Sequence, residues 1–474
     1  MPEKENFTLD CAIVGGGISG LTAAHTLQAI APNWKIRLFE RCERLGGVLE
    51  TARDQGFLIE LSADNFITEP PAALQLCEQL GLGEDILPTN SMFRGADVLF
   101  RGRLTPVPVG FQVLGPQRLM AILRSPLLSI RGKLRLCCEP FIAPRKDSTD
   151  ESLAAFAIRR LGKEAYERLV APLVGGIYTA DAHKLSMAAA LPHFAQMERE
   201  FGSLYRGLRA RAKAKNGSST ESGARYSLFA TPRGGMEQLL EKLEESVPPA
   251  TWQTRAEITD LARTDDGGWQ LQVNGERLWT AGKLIIAIPA FHAGNLLEPH
   301  DAILGAELRG IPYASCAVVC LGYEKKQFPH PPQVFGFVVP PCEKRQILAA
   351  SFSSNKYPFR APDEQLLIRV FLGGACQESI LQHGDAQLAE IAIRELKQIM
   401  GTQGEPHYQR VVRWTKAMPQ YHLGHLERVA KIEKHAARLS NLALIGNAYR
   451  GVGLPHCVQG AISAVERLCG REES

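Results

Sequence analysis

The chain has 474 residues, more than one compact core usually holds, so we expect two or three packed units. Its 54 Lys and Arg against 50 Asp and Glu give a formal charge of +4, which gives no support to a nucleic-acid partner. The 11 cysteines contain no C-x-x-C pair, which argues against a zinc site or a disulfide framework and indicates a reducing compartment. No apolar run reaches the roughly 18–20 residues of a spanning helix, and no targeting signal precedes the first apolar stretch. We expect a cytoplasmic protein, with peripheral contact on the inner face of a membrane left open.

The first predicted elements are a strand, a glycine-rich turn and a helix. Leu9–Val14 is apolar and predicts the strand, Leu21–Ile30 predicts the helix, and the turn between them reads GGGISG. In such a turn the first glycine permits the bend, the second lets the backbone approach a pyrophosphate, and the third lets helix and strand pack. The pattern predicts a dinucleotide site rather than a merely structural turn, formed by Gly15, Gly16, Gly17, Ile18, Ser19 and Gly20.

A second predicted strand, Lys35–Phe39, ends in Glu40, where a carboxylate takes the ribose hydroxyls of NAD or FAD. Arg41 and the segment Arg44–Gly47 follow it. A strand–helix–strand unit followed by R-x-G-G resembles the FAD-binding amine-oxidase and phytoene-desaturase superfamily. The resemblance implies that Arg44–Gly47 is more than a glycine turn, and that FAD is contacted by Glu40, Arg41, Gly46 and Gly47.

The resemblance implies an α/β fold with a discontinuous, glutathione-reductase-like Rossmann domain that binds FAD, a substrate domain with a mixed sheet, and a helical lobe. We expect the FAD domain to comprise residues 1–90, 225–305 and 436–474. The substrate domain then comprises 91–110 and 306–435, and the helical lobe 111–224.

Later segments are predicted to return to the FAD domain. Arg255–Leu261 is predicted as a strand that enters an antiparallel excursion, because D-G-G and N-G turns flank Trp269–Val273, and Lys283–Pro289 is predicted as a buried strand after it. The resemblance implies that Ile258 touches the adenine side through its backbone, the alternative being a plain sheet residue. Near the C-terminus a strand, a glycine-rich loop and the helix Pro455–Leu468 follow one another, as in the first site. The glycines let backbone amides approach a ligand, and the helix N-terminus supplies positive potential. Flavin neighbours are expected there at Asn447, Val452, Gly453 and Leu454.

Four stretches narrow the resemblance to the oxygen-dependent protoporphyrinogen and coproporphyrinogen oxidases: ERLGG, GGIYTADAHKLSM, TPRGGMEQL and MPQYHLGH. The second and fourth look specific to that family. The resemblance implies that a porphyrinogen of haem biosynthesis is oxidised to the porphyrin in three two-electron steps, with O2 reoxidising FAD to give H2O2. It leaves open a hand-off of the product to a ferrochelatase, the choice between the two porphyrinogens, and the oligomeric state.

Residues beside the reacting centre follow from the same resemblance. The segment 62–65 stands where relatives usually carry a Gly-Pro pair and a polar residue, so flavin contacts are expected from Ser62, Ala63, Asp64 and Asn65. Asp64 is the catalytic candidate, able to accept a pyrrole proton or to orient the ring, the alternative being a surface turn or cap. Gly176 is the second catalytic candidate, since Gly175 and Gly176 give a flat macrocycle room, and Tyr178 either lines the cavity or packs in the core.

The substrate's propionates need a cationic side chain. Some relatives place an arginine where this chain has Ala96. Arg94, Arg101 and Arg103 are the candidates to replace it, against the alternative that they are solvated surface charges.

Leu104–Pro144 interleaves apolar and basic residues, which predicts either core packing or a basic amphipathic surface that docks on a membrane. Arg206–Lys215, with five basic residues, and the turn Asn216–Ser222 are interpreted as a solvated loop. The alternative is that they steer an anionic substrate or contact lipid headgroups. Asp385–Met400 is predicted as a helix and Tyr408–Trp414 as a strand.

Two other functions are weighed against this one. An FAD amine oxidase or carotene desaturase would show an amine-binding aromatic cage or a long apolar tunnel, and neither pattern is evident in the sequence. A non-catalytic flavoprotein would keep the nucleotide fold without turnover, and its reduced flavin would not reoxidise in air. No metal site is expected.

Overall fold

The computed structural model describes residues 7–93, 95–116, 118–145, 147, 149–217 and 228–470. Its strands in chain order are β1 Phe7–Val14, β2 Ile36–Phe39, β3 Thr51–Asp54, β4 Phe57–Glu60, β5 Phe66–Ile67, β6 Ile86–Pro88, β7 Asp97–Phe100, β8 Arg103–Pro106, β9 Phe111–Gln112, β10 Gly115–Pro116, β11 Phe229–Pro232, β12 Trp252–Gln253, β13 Ile258–Arg263, β14 Trp269–Val273, β15 Arg277–Ile286, β16 Tyr313–Glu324, β17 Gly336–Val338, β18 Ala349–Phe352, β19 Gln365–Gly373, β20 Tyr408–Pro419 and β21 Leu442–Leu444.

The α-helices in chain order are α1 Ile18–Ile30, α2 Ala72–Gln79, α3 Leu119–Arg124, α4 Ile130–Cys137, α5 Leu153–Leu161, α6 Lys163–Ala165, α7 Ala171–Tyr178, α8 Met187–Ala190, α9 Pro192–Phe201, α10 Leu204–Gly217, α11 Met236–Glu245, α12 Ala290–Leu297, α13 Ala302–Arg309, α14 Ser353–Lys356, α15 Asp385–Met400, α16 His425–Ala436 and α17 Leu454–Leu468. A π-helical segment, Tyr166–Val170, joins α6 to α7. Short 3-10 turns lie at Glu139–Phe141, Pro249–Thr251, Lys325–Gln327, Pro341–Glu343 and Glu378–Gln382.

The first large sheet contains the glycine-rich motif at its centre. Its strand order is β12-β2-β1-β15-β14-β13, with β21 also paired to β15, and the strands β12, β2, β1, β15 and β21 run parallel. Residues 11–14 of β1 are all buried, because α1, α2, α11 and α17 cover one face of the sheet and α12, α13 and α16 cover the other. The parallel strands therefore all end at one edge, where the ligand-binding loops of such sheets lie.

The second large sheet has the order β20-β16-β19-β18-β17-β7-β8. One face packs on α15, where Ala317, Val319 and Leu321 are buried. The opposite face packs on β4, because Val318 and Cys320 belong to an apolar cluster that includes Phe57. The alternation along β16 therefore joins two parts of the molecule through one strand.

The helical lobe is formed mainly by α3–α10 around a separate apolar core. A buried ion pair between Arg160 and Glu139 crosses this lobe, and Glu139 also accepts hydrogen bonds from the Leu204 and Tyr205 N–H groups. These bonds satisfy N–H groups at the start of α10.

The interpretation of Arg206–Lys215 as a loop is wrong, because these residues belong to α10. The buried Leu204 and Leu208 lie one turn apart and anchor the helix, while Arg206, Arg209 and Arg211 are exposed. Residues 218–222 of the predicted turn lie outside the described residues.

The predicted fold class is confirmed, and so are the helix Asp385–Met400 and the strand Trp269–Val273. Two boundaries differ from the prediction. The strand predicted at Arg255–Leu261 runs from Ile258 to Arg263. The strand predicted at Lys283–Pro289 begins earlier, at Arg277, and stops at Ile286. The division into three domains stays a proposal. No helix within the described ranges is long and apolar enough to cross a bilayer.

Candidate functional site

The turn between β1 and α1 requires glycine at two positions for different reasons. Gly15 has φ +106°, and a Cβ there would lie 2.7 Å from the carbonyl oxygen of Ala287. A Cβ on Gly20 would collide with the Gly15 carbonyl, so the absence of a side chain lets α1 pack close to the turn. The two glycines hold the start of α1 against the edge of the sheet.

Gly17 differs from these two because its own surroundings are open. It precedes α1 in an extended conformation, φ −73° and ψ 179°, and no side chain caps the helix. A Cβ on Gly17 would meet only the Cα of Gly47, at 3.9 Å. Gly46 pairs with Gly17, and its N–H donates to the Gly16 carbonyl at 2.8 Å. The two glycine segments thus form a cradle that a side chain would fill, beside free N–H groups of α1, including those of Ile18 and Ser19.

Arg44 holds the second segment in place. Its guanidinium donates to the carbonyls of Leu45 at 3.0 Å, Leu49 at 2.9 Å and Gly47 at 2.7 Å, and it pairs with Glu50. The arginine of the R-x-G-G segment therefore fixes the loop that carries the glycines rather than facing outward.

Glu40 lies at the end of β2, as predicted, and is buried. Its carboxylate accepts the Gly16 N–H at 2.7 Å and the Cys42 N–H at 2.8 Å. The carboxylate therefore lies between the glycine turn and the following loop, and its contact with a ribose stays a prediction. Arg41 is exposed, with its guanidinium 3.4 Å from Nε2 of His292.

Ile258 opens β13, buried against the sheet and paired with Val273. The preceding residues bond to the segment after β2: the Ala256 N–H donates to the Glu40 carbonyl at 2.8 Å, and the Arg255 N–H donates to the Cys42 carbonyl at 2.9 Å. The adenine contact of Ile258 stays a prediction.

The C-terminal loop reaches the same edge of the sheet. It follows β21, which runs parallel to β15, and it contains Gly446 with φ +125° and Gly451 with φ +141°. The helix α17 begins at Leu454, with Gly453 before it and no side chain capping it, and it packs against α1. Two uncapped helix N-termini thus lie at one edge, which suits a ligand with negative charge.

Tyr421 and His425, in the MPQYHLGH stretch, brace this loop. The Tyr421 hydroxyl donates to the Asn447 carbonyl at 2.6 Å and accepts the Gly451 N–H at 2.8 Å. The His425 ring stacks on Tyr421 with centroids 4.0 Å apart, and its Nε2 donates to the Tyr449 carbonyl at 3.0 Å. Burial raises the pKa of Tyr421 well above its usual range, so the hydroxyl remains a donor.

The two family-specific stretches also contact each other. The Ser186 N–H, in GGIYTADAHKLSM, donates to the Tyr421 carbonyl at 2.7 Å. The sequence identified both stretches but assigned Tyr421 and His425 no role, since their contacts are distant in sequence. Their only sequence signal was the resemblance itself.

The segment 62–65 crosses from β4 to β5 over the second sheet. The Leu61 carbonyl accepts the Trp414 Nε1–H at 2.8 Å, and the Ser62 carbonyl accepts the Arg369 guanidinium. Asp64 Oδ2 lies 3.0 Å from Lys356 Nζ and 3.4 Å from Arg369 Nη1. Asp64 is thus part of an ion cluster and is not a surface turn residue.

Burial opposes the ionisation of Asp64, but Lys356 and Arg369 outweigh it and hold the pKa of Asp64 at about 2. A carboxylate with so low a pKa is a weak proton acceptor at neutral pH. The cluster therefore favours the orienting role predicted for Asp64 over the proton-accepting one. The contacts of Ser62, Ala63, Asp64 and Asn65 with flavin stay predictions.

Gly175 and Gly176 lie in α7. A Cβ on Gly176 would approach Val338 of β17 at 3.3 Å, whereas one on Gly175 would meet nothing within 4 Å. The Tyr178 hydroxyl donates to the Ala190 carbonyl at 3.2 Å, and burial raises the pKa of Tyr178 to about 12. Gly176 therefore lets the lobe approach the second sheet, and Tyr178 is tied into the lobe.

The structure places Arg101 and Arg103, two of the predicted propionate arginines, on the exposed surface. Arg101 and Arg103 lie at the exposed turn that joins β7 to β8. Ala96 precedes β7, so the length of an extended strand, roughly 16 Å, separates Ala96 from Arg101. The N–H of Arg101 donates to Glu343. Arg94 lies outside the described residues.

Comparisons with known proteins agree with this geometry. The family model for flavin containing amine oxidoreductases matches residues 18–469. A coproporphyrinogen III oxidase of Bacillus subtilis (strain 168) is 30% identical over 96% of both chains. A chloroplastic protoporphyrinogen oxidase of Nicotiana tabacum is 29% identical over 98% of this chain and 86% of its own.

Solved structures extend the comparison to the fold. A protein of Exiguobacterium sp. 255-15, provisionally named a protoporphyrinogen oxidase, superposes with a TM-score of 0.86 at 28% identity, over 98% of this chain and 99% of its own. A reduced UDP-galactopyranose mutase superposes with a TM-score of 0.71 at 16% identity, over 98% of this chain and 96% of its own, and so shares the fold alone.

The chain belongs to the flavin-containing amine oxidoreductase family. This confirms the prediction of an FAD-dependent oxidoreductase, and the resemblance to porphyrinogen oxidases is confirmed by the relatives above. The residues present fit the cofactor, because the Gly17–Gly47 cradle and the uncapped starts of α1 and α17 meet at one edge of the sheet.

Proposed function

We propose that the protein is an FAD-dependent porphyrinogen oxidase of haem biosynthesis whose substrate is coproporphyrinogen III, with protoporphyrinogen IX as the alternative. The observation that carries the proposal is the likeness to the coproporphyrinogen III oxidase of Bacillus subtilis, 30% identical over 96% of both chains. A match of that length covers the cofactor loops and the second sheet together. It therefore supports a likeness in the substrate as well as in the cofactor.

The reaction removes six hydrogens from the macrocycle in three two-electron steps, and each step reduces one O2 to H2O2. FAD, when bound, supplies the hydride acceptor and returns the electrons to O2. The chain's own contribution is to bind and orient the macrocycle and to exclude water. The ionised Asp64 contributes by fixing the cations Lys356 and Arg369 beside the loop 62–65. Gly175 faces open space and supports room for a flat ring.

The test is aerobic porphyrin fluorescence with purified yellow protein. Coproporphyrinogen III and protoporphyrinogen IX are supplied separately, each against an enzyme-free control for autoxidation. We expect faster porphyrin formation with coproporphyrinogen III and three H2O2 per porphyrin in a peroxidase-coupled assay. Faster oxidation of protoporphyrinogen IX would show that protoporphyrinogen IX, and not coproporphyrinogen III, is the preferred substrate. Bound FAD with neither substrate accelerated would refute the proposal and direct the search to amines and carotenoids.

We also propose that the protein works in the cytoplasm and that the helical lobe docks on the surface of an anionic membrane. Large apolar side chains are exposed there: Ile130 is 77% exposed and Leu134 62%, one turn apart on α4, and Phe141 is 83% exposed. Arg124 and Arg131 are exposed nearby in the chain. Apolar side chains among cations suit the headgroup region of anionic lipids.

Sedimentation with vesicles tests the docking. We expect binding to phosphatidylglycerol–phosphatidylcholine vesicles, weaker binding at high salt, and little binding to phosphatidylcholine alone. The double variant Ile130→Asp, Leu134→Asp should lose binding, whereas Ile303→Asp, a matched exposed position in α13, should keep it. Equal binding by the double variant and the unaltered protein would refute the docking.

We further propose that the porphyrin passes to a ferrochelatase, the class of enzyme that inserts iron into this product. Metal insertion measured in a mixture of the two enzymes should exceed the rate set by release of free porphyrin. If a trap for free porphyrin leaves the rate of metal insertion unchanged, direct transfer is supported. If the trap abolishes metal insertion, direct transfer is contradicted.

A further inference from the structure

The cluster around Asp64 carries more positive than negative charge. Lys356 and Arg369 both approach the single oxygen Oδ2 of Asp64, at 3.0 and 3.4 Å. The nearby Arg360 has its own carboxylate partner, Glu60, at 3.6 Å. The three groups Asp64, Lys356 and Arg369 therefore carry a net charge of +1, in a place where water screens charges poorly.

Buried hydroxyl groups around the cluster also lack partners. The Oγ atoms of Ser62, Ser351 and Ser353 are buried and have no hydrogen bond within the described residues. Ser351 lies opposite Arg369 in the strand pair β18–β19, and Ser353 opens the helix that ends at Lys356. A buried hydroxyl without a partner is costly, and the three hydroxyls add polar surroundings to the cluster.

The register of the second sheet places Arg369 on the face that packs against α7, because Ala349, which lies beside Gly176, is two residues from Ser351 in β18. Ser351 pairs with Gly336 on one side and with Arg369 on the other, and Ala96 adjoins this row one residue before β7. Directly opposed residues of paired strands share a face. Arg369 thus lies in the same row as Ala96, where the chain has no charge.

The two cations differ in access. The Arg369 side chain is 1% exposed and donates to the Ser62 carbonyl, so the loop 62–65 covers it. The side chains of Lys356 and Asp64 remain 19% and 15% exposed. Arg369 therefore lies beneath the loop, whereas part of the Lys356 side chain remains accessible to a ligand.

We propose that Lys356 is the cation that binds a carboxylate of the substrate, with Arg369 and Asp64 as positioning residues that hold the loop and the lysine. The inference rests on the proposed function, since a porphyrinogen provides the propionate groups. Coproporphyrinogen III carries four propionates and protoporphyrinogen IX two, so the former offers more carboxylates to this position. An ammonium–carboxylate hydrogen bond is among the stronger polar contacts in proteins.

The variants Lys356→Met and Lys356→Arg test the assignment, with Lys326→Met as the matched control. Lys326 belongs to the same sheet domain and pairs with Glu324 at 2.6 Å, but its side chain is 83% exposed. The first readout is quenching of protein fluorescence by coproporphyrin III and by its tetramethyl ester, which has no free carboxylates. The second is the separate effect on KM and kcat in the aerobic assay. FAD absorbance and Tm check that each variant is folded.

We expect Lys356→Met to weaken coproporphyrin III binding and raise KM by roughly 10- to 100-fold, with kcat nearly unchanged. Binding of the ester should not change, Lys356→Arg should restore most of the affinity, and Lys326→Met should behave as the unaltered protein. Equal loss of acid and ester, or a fall in kcat at constant KM, would overturn the assignment. An unaltered protein that binds and oxidises no porphyrinogen would instead refute the proposed function.

Discussion

The substitution Gly17→Ala separates cofactor binding from folding. The backbone of Gly17, φ −73° and ψ 179°, is open to alanine, and the new Cβ would meet only the Gly47 Cα at 3.9 Å. The apoprotein should therefore fold normally, with a cost of under about 1 kcal/mol at the start of α1. The methyl group would nevertheless occupy the cradle where the pyrophosphate of FAD is expected.

The size of the effect follows from the hydrogen bonds that the methyl group would prevent. Backbone N–H groups bonded to a charged phosphate contribute about 1.5–3 kcal/mol each. Loss of two such bonds raises the Kd for FAD by at least about 100-fold, because each 1.4 kcal/mol is about a factor of ten. We expect purified Gly17→Ala protein to be colourless at cofactor concentrations that saturate the unaltered protein.

Titration of apoprotein with FAD, followed by flavin fluorescence, measures the Kd, and thermal unfolding of the apoprotein measures stability. Gly460→Ala is the matched control: Gly460 lies within α17, is exposed, and a Cβ there would meet nothing within 4 Å. It should stabilise the protein by about 0.5–1 kcal/mol and leave the Kd unchanged. Normal FAD affinity in a folded Gly17→Ala protein would refute the placement of the cofactor in the Gly17–Gly47 cradle.

Three further results are expected. Tyr421→Phe keeps the ring stack but leaves the Gly451 N–H without an acceptor, so FAD should bind roughly 10-fold more weakly in the same titration; an unchanged Kd would contradict the bracing role. Asp64→Asn leaves Lys356 and Arg369 unneutralised and should lower the free energy of unfolding by about 2–4 kcal/mol in denaturant titration. Because the folded-state pKa of Asp64 is lowered to about 2, its stabilising effect is complete above about pH 4 and is lost as pH falls toward 2, so kcat/KM should show no acid limb from Asp64 between pH 5 and 8.

The dinucleotide half of the site follows from the sequence because its determinants are local. The turn Gly15–Gly20, the acid Glu40 and the segment Arg44–Gly47 lie within one strand–helix–strand unit. Glycine spacing there reports backbone geometry directly, and the structure brings the two glycine segments and Glu40 together. The antiparallel strands β13 and β14 were also predicted from the sequence, because D-G-G and N-G turns flank β14.

The substrate half did not follow from the sequence in the same way. Asp64 was selected by resemblance, but its partners Lys356 and Arg369 come from α14 and β19, about 300 residues later in the chain. A lysine on a short helix and an arginine within a strand have no local pattern that marks them as neighbours of an aspartate. Their approach depends on the register of β18 and β19 and on the loop 62–65 lying across them.

The sequence by itself determined the glycine turns and the first strand–helix–strand unit, because short-range sterics and hydrophobic periodicity set these features. The cofactor class followed from the resemblance of the R-x-G-G segment to a known superfamily. Only the tertiary structure decided that Tyr421 braces the loop 446–454, that α10 is a helix anchored by Glu139, and that Asp64 is ionised between two cations. The physical reason is that hydrogen bonds and charge interactions between distant segments act over a few ångströms, and sequence separation carries no information on that distance.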